Sequence, residues 1–148
     1  MMQTFTPTRT PPALPGASLL GLKATTLLDL GDAVHDGFDP VTLERLANHL
    51  GLSLGDTLDL IGLSPSTYHS HRRQNRPIKP EVSASLYHLA RVTEAAEHYF
   101  GNTKAAHTWL QTPRVTFGSR TPLQFALLPG GAEYVTTVLS RLEHGVHT

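Results

Sequence analysis

Ser53-Leu-Gly-Asp-Thr-Leu-Asp-Leu-Ile-Gly-Leu-Ser-Pro-Ser-Thr-Tyr-His-Ser-His-Arg-Arg-Gln-Asn-Arg76 encodes two short helices and the turn between them. Ser53 with Asp56 three residues later is an N-terminal capping pattern. Leu54, Leu58 and Ile61 then repeat on one helical face. Gly62 marks the turn. Ser64-Pro65 opens the second helix, with a capping hydroxyl followed by proline at the first helical position. That helix runs to about Gln74 and stops near Arg76-Pro77.

Charge separates sharply across this pair. From Leu63 to Lys79 the charged residues are Arg72, Arg73, Arg76 and Lys79, with no Asp or Glu. From Gly37 to Gly62 a lone base, Arg45, stands against Asp39, Glu44, Asp56 and Asp59. A basic second helix after a glycine turn is where a helix-turn-helix reader of DNA places its groove helix. The short side chains Ser66, Thr67, His69 and Ser70 suit approach to base edges. Arg73 and Gln74 reach bases or phosphates, and Arg72, Arg76 and Lys79 reach phosphates. Tyr68 is expected to turn inward and anchor the helix. The plainer reading is a solvated basic helix end favoured by its own dipole. A single motif makes few phosphate contacts, so useful affinity calls for two copies.

Outward from this pair the pattern stays helical. A helix is expected from about Lys23, with Leu27, Leu28, Leu30 and Val34 on one face and Gly37 as its stop. Asp39-Pro40 starts another, carrying Leu43, Leu46, Ala47 and Leu50 and ended by Gly51. A long helix spans about Pro80 to Phe100, with Leu86, Leu89, Ala90, Ala96 and Phe100 inward. Asn102 caps a short helix through Trp109-Leu110. Gln111 to Arg120 reads as a loop with a β-leaning Val115-Thr-Phe117. Thr121-Pro122 begins a further short helix, broken at Pro129-Gly130-Gly131. The last helix carries Ala132, Val135, Val138, Leu139 and Leu142, and Gly145 stops it. With no convincing strand and no repeat, the expected fold class is all-α.

Composition narrows the function. The 148 residues hold 12 Lys and Arg against 12 Asp and Glu, which excludes a uniformly basic nucleic-acid coat but not a local patch. Cysteine is absent, removing disulfides, thiolate metal sites and cysteine nucleophiles. No signal peptide or membrane span is indicated, so a cytoplasmic protein is expected. Nine histidines invite a metal test. His69 and His71 are too close in sequence to share a helix face, and His144-x-x-His147 straddles Gly145, so no metal site is expected. Glu94, Glu97, Glu133 and Glu143 have ordinary flanks. No nucleophile-and-base pair, phosphate loop or dinucleotide fingerprint occurs, so neither catalysis nor a cofactor is expected.

Trp109-Leu-Gln-Thr-Pro113, Phe117-Gly-Ser-Arg-Thr-Pro-Leu123 and Leu142-Glu-His-Gly-Val146 are three ordered blocks that resemble the Xre/MbcA/ParS antitoxin family. The likeness extends over roughly Leu43 to Thr148. It departs at Arg114, where members often carry Asn, and in the bulk of Val115-Thr-Phe117. The resemblance implies an antitoxin of a type II toxin–antitoxin pair whose partner is a RES-domain toxin that depletes NAD. It further implies that the C-terminal domain obstructs the toxin's active site while an Xre-like helix-turn-helix, often dimeric, represses its own operator. The expected division is a flexible tail over 1–16, an Xre-like helix-turn-helix region over 17–78 and a toxin-binding domain over 79–148.

Within that domain, Pro113, Gly118 and Pro122 restrain a loop in one shape, which lowers the entropy lost on binding. Trp109 reads first as a core anchor and second as an interface residue. Arg114 and Gly118 belong to the expected toxin-facing loop. Arg120 either braces that loop or offers a donor to a toxin carboxylate. Glu143, His144, Gly145 and Val146 either finish the last helix or insert into a toxin cleft. The alternative function is a stand-alone helix-turn-helix transcriptional regulator without a toxin.

Overall fold

The structure, a computed structural model, describes residues 12–145. Eight α-helices follow one another: α1 (Leu27–Asp36), α2 (Val41–Leu50), α3 (Leu54–Ile61), α4 (Pro65–Arg73), α5 (Pro80–Phe100), α6 (Thr103–Leu110), α7 (Pro122–Ala126) and α8 (Gly131–Glu143). Two 3-10 turns, Ser18–Leu20 and Val115–Phe117, complete the order. Among the described residues there is no β-strand, so the all-α expectation holds. None of the described helices is long and apolar enough to cross a membrane.

The helix starts follow the local chemistry. Ser53, Ser64, Asn102 and Thr121 each accept a backbone N–H of the first turn of their helices. Thr121 and Gln124 form a reciprocal capping box. Asp39 Oδ1 accepts from Val41 N at 2.9 Å, and Pro40 already has helical dihedrals. Gly51, Gly62 and Gly101 end α2, α3 and α5 in the left-handed region, where the sequence placed the stops of α2 and α3 and of the long helix.

Helix α5, 21 residues long, is the axis of the molecule. It packs against α1, α2, α3, α6, α7, α8 and the first 3-10 turn. Leu86, Leu89, Ala90, Val92 and Ala96 are completely buried along it. Its buried Ser83 and Thr93 hydroxyls are satisfied. Ser83 Oγ donates to Lys79 O at 3.0 Å and accepts from Phe38 N at 2.9 Å, and Thr93 Oγ1 donates to Leu89 O at 2.7 Å. The apolar core is one cluster from Leu20 to Leu139. It crosses the expected boundary at 78/79 without a gap, because Ile78 is buried beside α5 and its N–H is bonded to Phe38 O at 2.9 Å.

Three expectations differ from the structure. First, α1 begins at Leu27, with Thr26 as its cap, and Leu27 and Leu28 are 78% and 75% exposed. The positions of α1 packed on the core are Leu30, Ala33 and Val34. Second, residues 1–11 of the expected tail lie outside the described residues, but its end at Leu14–Gly16 is docked. Leu14 N bonds Ala24 O at 2.9 Å, Tyr87 Oη donates to Pro15 O at 2.7 Å, and Gly16 N donates to the Glu94 carboxylate. A Cβ on Gly16 would sit 2.6 Å from Arg91 N, so only glycine lets the strap lie this close to α5. Third, inside the expected loop the β-leaning Val115–Phe117 is ordered as a 3-10 turn, with an isolated antiparallel bridge between Arg114 and Arg120.

Close approach also fixes the junction of α7 and α8. A Cβ on Gly131 would fall 1.8 Å from Phe125 O. Gly131→Ala should therefore force the two helices apart and destabilise the fold by at least about 1–3 kcal/mol in urea denaturation. Gly31→Ala, in α1 with nothing within 4 Å of the added carbon, should instead stabilise by about 0.5–1 kcal/mol.

Candidate functional site

Two surfaces carry the residues singled out from the sequence. The first is α4. Its single buried side chain is Tyr68, 1% exposed, which pins the helix to the core as expected. Opposite Tyr68, Ser66, His69, Ser70 and Arg73 fall at i, i+3, i+4 and i+7 and share one face. Ser66, His69 and Arg73 are exposed and Ser70 is half-buried. Thr67 is half-buried and tied to the cap, its Oγ1 accepting from Ser64 Oγ at 2.8 Å. Gln74, Arg76 and Lys79 are exposed on the turn that follows.

Arg72 is set apart from its neighbours. Its Nε donates to Glu44 Oε1 of α2 at 3.0 Å, and Tyr68 Oη donates to the same oxygen. Glu44 thus ties α4 to α2, and Arg72 is partly spent inside the protein instead of being free for phosphate. These bonds, from Tyr68 first and then Arg72, hold the Glu44 carboxyl below the usual carboxylate range. Burial, with the Glu44 hydrogen bond second, pushes the Tyr68 phenol up to about 12. On the far side, His71 Nδ1 donates to Pro77 O at 3.0 Å, which bends the chain from α4 toward α5.

The second surface is the loop from Pro113 to Arg120. Phe117 is 1% exposed and meets Trp109 edge-on at 5.9 Å between ring centroids. Phe125 and Tyr134 complete an aromatic cluster around it. Trp109 is 7% exposed and lies in the core beneath the loop. The Arg114 guanidinium lies over the Trp109 ring, 5.2 Å from its centroid. The backbone closes the loop: Arg114 N bonds Arg120 O at 3.1 Å, and Ser119 N bonds Arg114 O at 2.9 Å. Arg120 therefore braces the loop through its carbonyl, while its side chain stays exposed near Gly118. Val115 stands at the tip, 93% exposed, a residue that sequence reading did not single out. Its alternation with buried Phe117 was the available signal.

At the end of α8, Glu143 Oε1 lies 3.5 Å from His98 Nε2 of α5. His144 and Gly145 are exposed, with Gly145 in the left-handed region. These three complete the helix terminus, and Val146 lies outside the described residues.

A third cluster escaped the sequence tests. His49 Nε2 of α2 and His107 Nε2 of α6 lie 2.7 Å and 2.8 Å from one oxygen, Oε2 of Glu97 on α5. No local spacing announces it, because its members come from three helices.

A tight glycine turn, a pinned second helix with a polar and basic outer face, and a further helical lobe on the same core define a helix-turn-helix regulator with an added C-terminal lobe. Comparison with known families makes this specific. Residues 29–91 match the antitoxin Xre-like helix-turn-helix domain, and residues 95–145 match the antitoxin Xre/MbcA/ParS C-terminal toxin-binding domain. The chain is similar to the Antitoxin Xre of Yersinia enterocolitica serotype O:8, 29% identical over 128 residues that cover 86% of each chain. It is also similar to the Antitoxin Xre of Pseudomonas putida, 28% identical over 112 residues, covering 76% of this chain and 69% of the relative. A third relative, the Antitoxin Xre of Photorhabdus laumondii subsp. laumondii, is 23% identical over 146 residues, 98% of this chain and 99% of its own. Both matched domains and the Antitoxin Xre relatives make the chain similar to antitoxins of the Xre/MbcA/ParS type. Its two matched segments meet inside α5.

Two outcomes test these surfaces. Ionised Glu44 is favoured by the fold, so its contribution is present above its ordinary pKa of 4.5 and is lost as pH falls through the lowered value. Glu44→Gln keeps an acceptor for Tyr68 but loses the charge. Its stability deficit in urea should be full at pH 7 and should disappear at the acid end of the titration. In the loop, Phe117→Ala should cost about 3–5 kcal/mol by the same measurement. Val115→Ala should stay within about 0.5 kcal/mol of the parent.

Proposed function

We propose that this chain is the antitoxin of a type II pair, that its toxin is a RES-domain enzyme that degrades NAD, and that inhibition is steric. The observation that carries the toxin half of this reading is the Arg114–Arg120 loop. It is closed by backbone bonds, seated on Trp109 and Phe117, and presents an exposed apolar tip at Val115. A loop already held in one shape loses little entropy when a partner covers it. Arg114, Gly118 and Arg120 flank the tip, and the chain end at Glu143, His144, Gly145 and Val146 adds a second contact. Trp109 serves by holding the loop. No chemistry is asked of the antitoxin, which needs only to cover the entry of NAD to the toxin.

The same protein represses its own operon through α4. Ser66, Thr67, His69, Ser70 and Gln74 read base edges, and Arg73, Arg76 and Lys79 carry the phosphate contacts that Arg72 only shares. A single α4 neutralises few phosphates, so repression uses a homodimer, itself part of a larger toxin–antitoxin complex that presents two or more copies.

Co-expression with the product of the adjacent gene tests the first half. Co-purification and rescue of growth are expected. A chain that binds its operator but not that product would be a stand-alone regulator. Arg73→Ala tests the second half. It should weaken operator binding and lower the slope of log affinity against log salt by about 1, with toxin binding unchanged. Equal loss of both would overturn the assignment of the two roles to separate surfaces.

A further inference from the structure

We infer that His49, Glu97 and His107 form a divalent transition-metal site, best suited to zinc, that clamps α2, α5 and α6 together. The three side chains offer one ligand atom each, all within 4.8 Å of one another. Two imidazole nitrogens and one carboxylate oxygen are a borderline-soft set that suits zinc, with the fourth tetrahedral position left to water.

The geometry is close to what such an ion requires. Metal–ligand bonds of about 2.0–2.1 Å in a tetrahedron place the ligand atoms about 3.3 Å apart. The two Nε2–Oε2 separations are 2.7 and 2.8 Å, so each opens by only about half an ångström to admit the ion. The rings meet edge-on with centroids 5.5 Å apart, which leaves both Nε2 atoms turned toward the same carboxylate. A metal takes the Nε2 lone pairs, with the ring proton of each ligand on Nδ1.

The charge balance points the same way. The side chain of Glu97 is 18% exposed and that of His107 14%. Among the described residues no Lys or Arg pairs with Glu97; its ion partners are these two histidines. A divalent cation held between the three side chains would give this half-buried carboxylate a full countercharge. His49, 32% exposed in its side chain, leaves the ion a way in.

The position gives the site a consequence. His49 lies in the last turn of α2, inside the segment matching the helix-turn-helix domain, whereas Glu97 and His107 lie in the segment matching the C-terminal domain. Apart from the shared core, the polar link beside it is a long bond from Gln111 Nε2 to Leu50 O at 3.4 Å. A bound ion fastens the two segments at this point, so metal occupancy sets how firmly α2, and through it α4, is held against the C-terminal lobe.

The test uses the full chain without a histidine tag, stripped with a chelator and titrated with Co2+. One Co2+ per chain with the strong visible absorption of four-coordinate cobalt, displaced by Zn2+, is expected. Zinc at a hundredfold excess over its dissociation constant should raise the melting temperature by about 5–10 °C. Glu97→Gln retains an acceptor for both histidine N–H groups, so the fold persists, but the anionic ligand is gone. This variant should melt near the metal-free parent, show no cobalt band and gain nothing from zinc. His107→Gln should behave alike. A parent with no such band, or a band that survives both substitutions because other histidines hold the ion, would overturn the proposal.

Discussion

Burial of α5 on nearly all sides is the constraint from which the other features follow. A helix with solvent on one side can shift or rotate at small cost. One that is packed against seven other elements has a single position, and each neighbour is located by it. The polar atoms that such burial would strand are paired: Ser83 bonds both Lys79 and Phe38, and Thr93 bonds Leu89 within the helix. The pair at Ser83 also seats Phe38 at the entry to α2. The docking of the N-terminal strap onto Tyr87 and Glu94 and the seating of α6 and α8 are likewise contacts to this one helix.

Each functional surface is exposed, yet each rests on a buried aromatic. Tyr68 holds α4, and its hydroxyl joins Glu44, which also takes Arg72. Phe117 and Trp109 hold the loop, with Arg114 across the tryptophan face. The arrangement separates tasks along the sequence. In α4 the anchor at 68 is next in sequence to the exposed His69. In the loop the anchor at 117 is two residues from the exposed tip at 115. Rigid support at so short a distance limits the entropy that a partner must remove.

The neutral total charge hides a deliberate division. Acidic residues of α2 and α3 lie next to a second helix that carries bases and no acid, and one of those acids, Glu44, reaches across to claim Arg72. This contact makes the acidic neighbour part of the support for α4. It also leaves Arg73, Arg76 and Lys79 as the cations without a described carboxylate partner, turned to solvent. The sharing of α5 between the two matched segments ties the helix-turn-helix segment to the C-terminal lobe by a common core.

Local chemistry by itself determined most of the helix boundaries. A capping hydroxyl, a proline at the first turn or a glycine past the last turn acts within four residues, so Ser64-Pro65, Gly62, Thr121-Pro122 and the inward Tyr68 were legible in the chain. The ordered blocks around Trp109, Phe117 and Glu143 likewise carried the resemblance to the Xre/MbcA/ParS antitoxins. What depends on residues far apart in sequence was settled by tertiary packing alone. Leu27 and Leu28 fit an apolar stripe but face solvent, because periodicity marks a face without saying whether anything lies opposite it. The strap at Leu14–Gly16 reads as tail until α5 is there to receive it. The capture of Arg72 by Glu44 joins positions 28 residues apart, and the meeting of His49 with Glu97 joins positions 48 apart. Such pairs leave no spacing rule in a single sequence, since their separation is fixed by how helices pack and not by the pitch of any one helix.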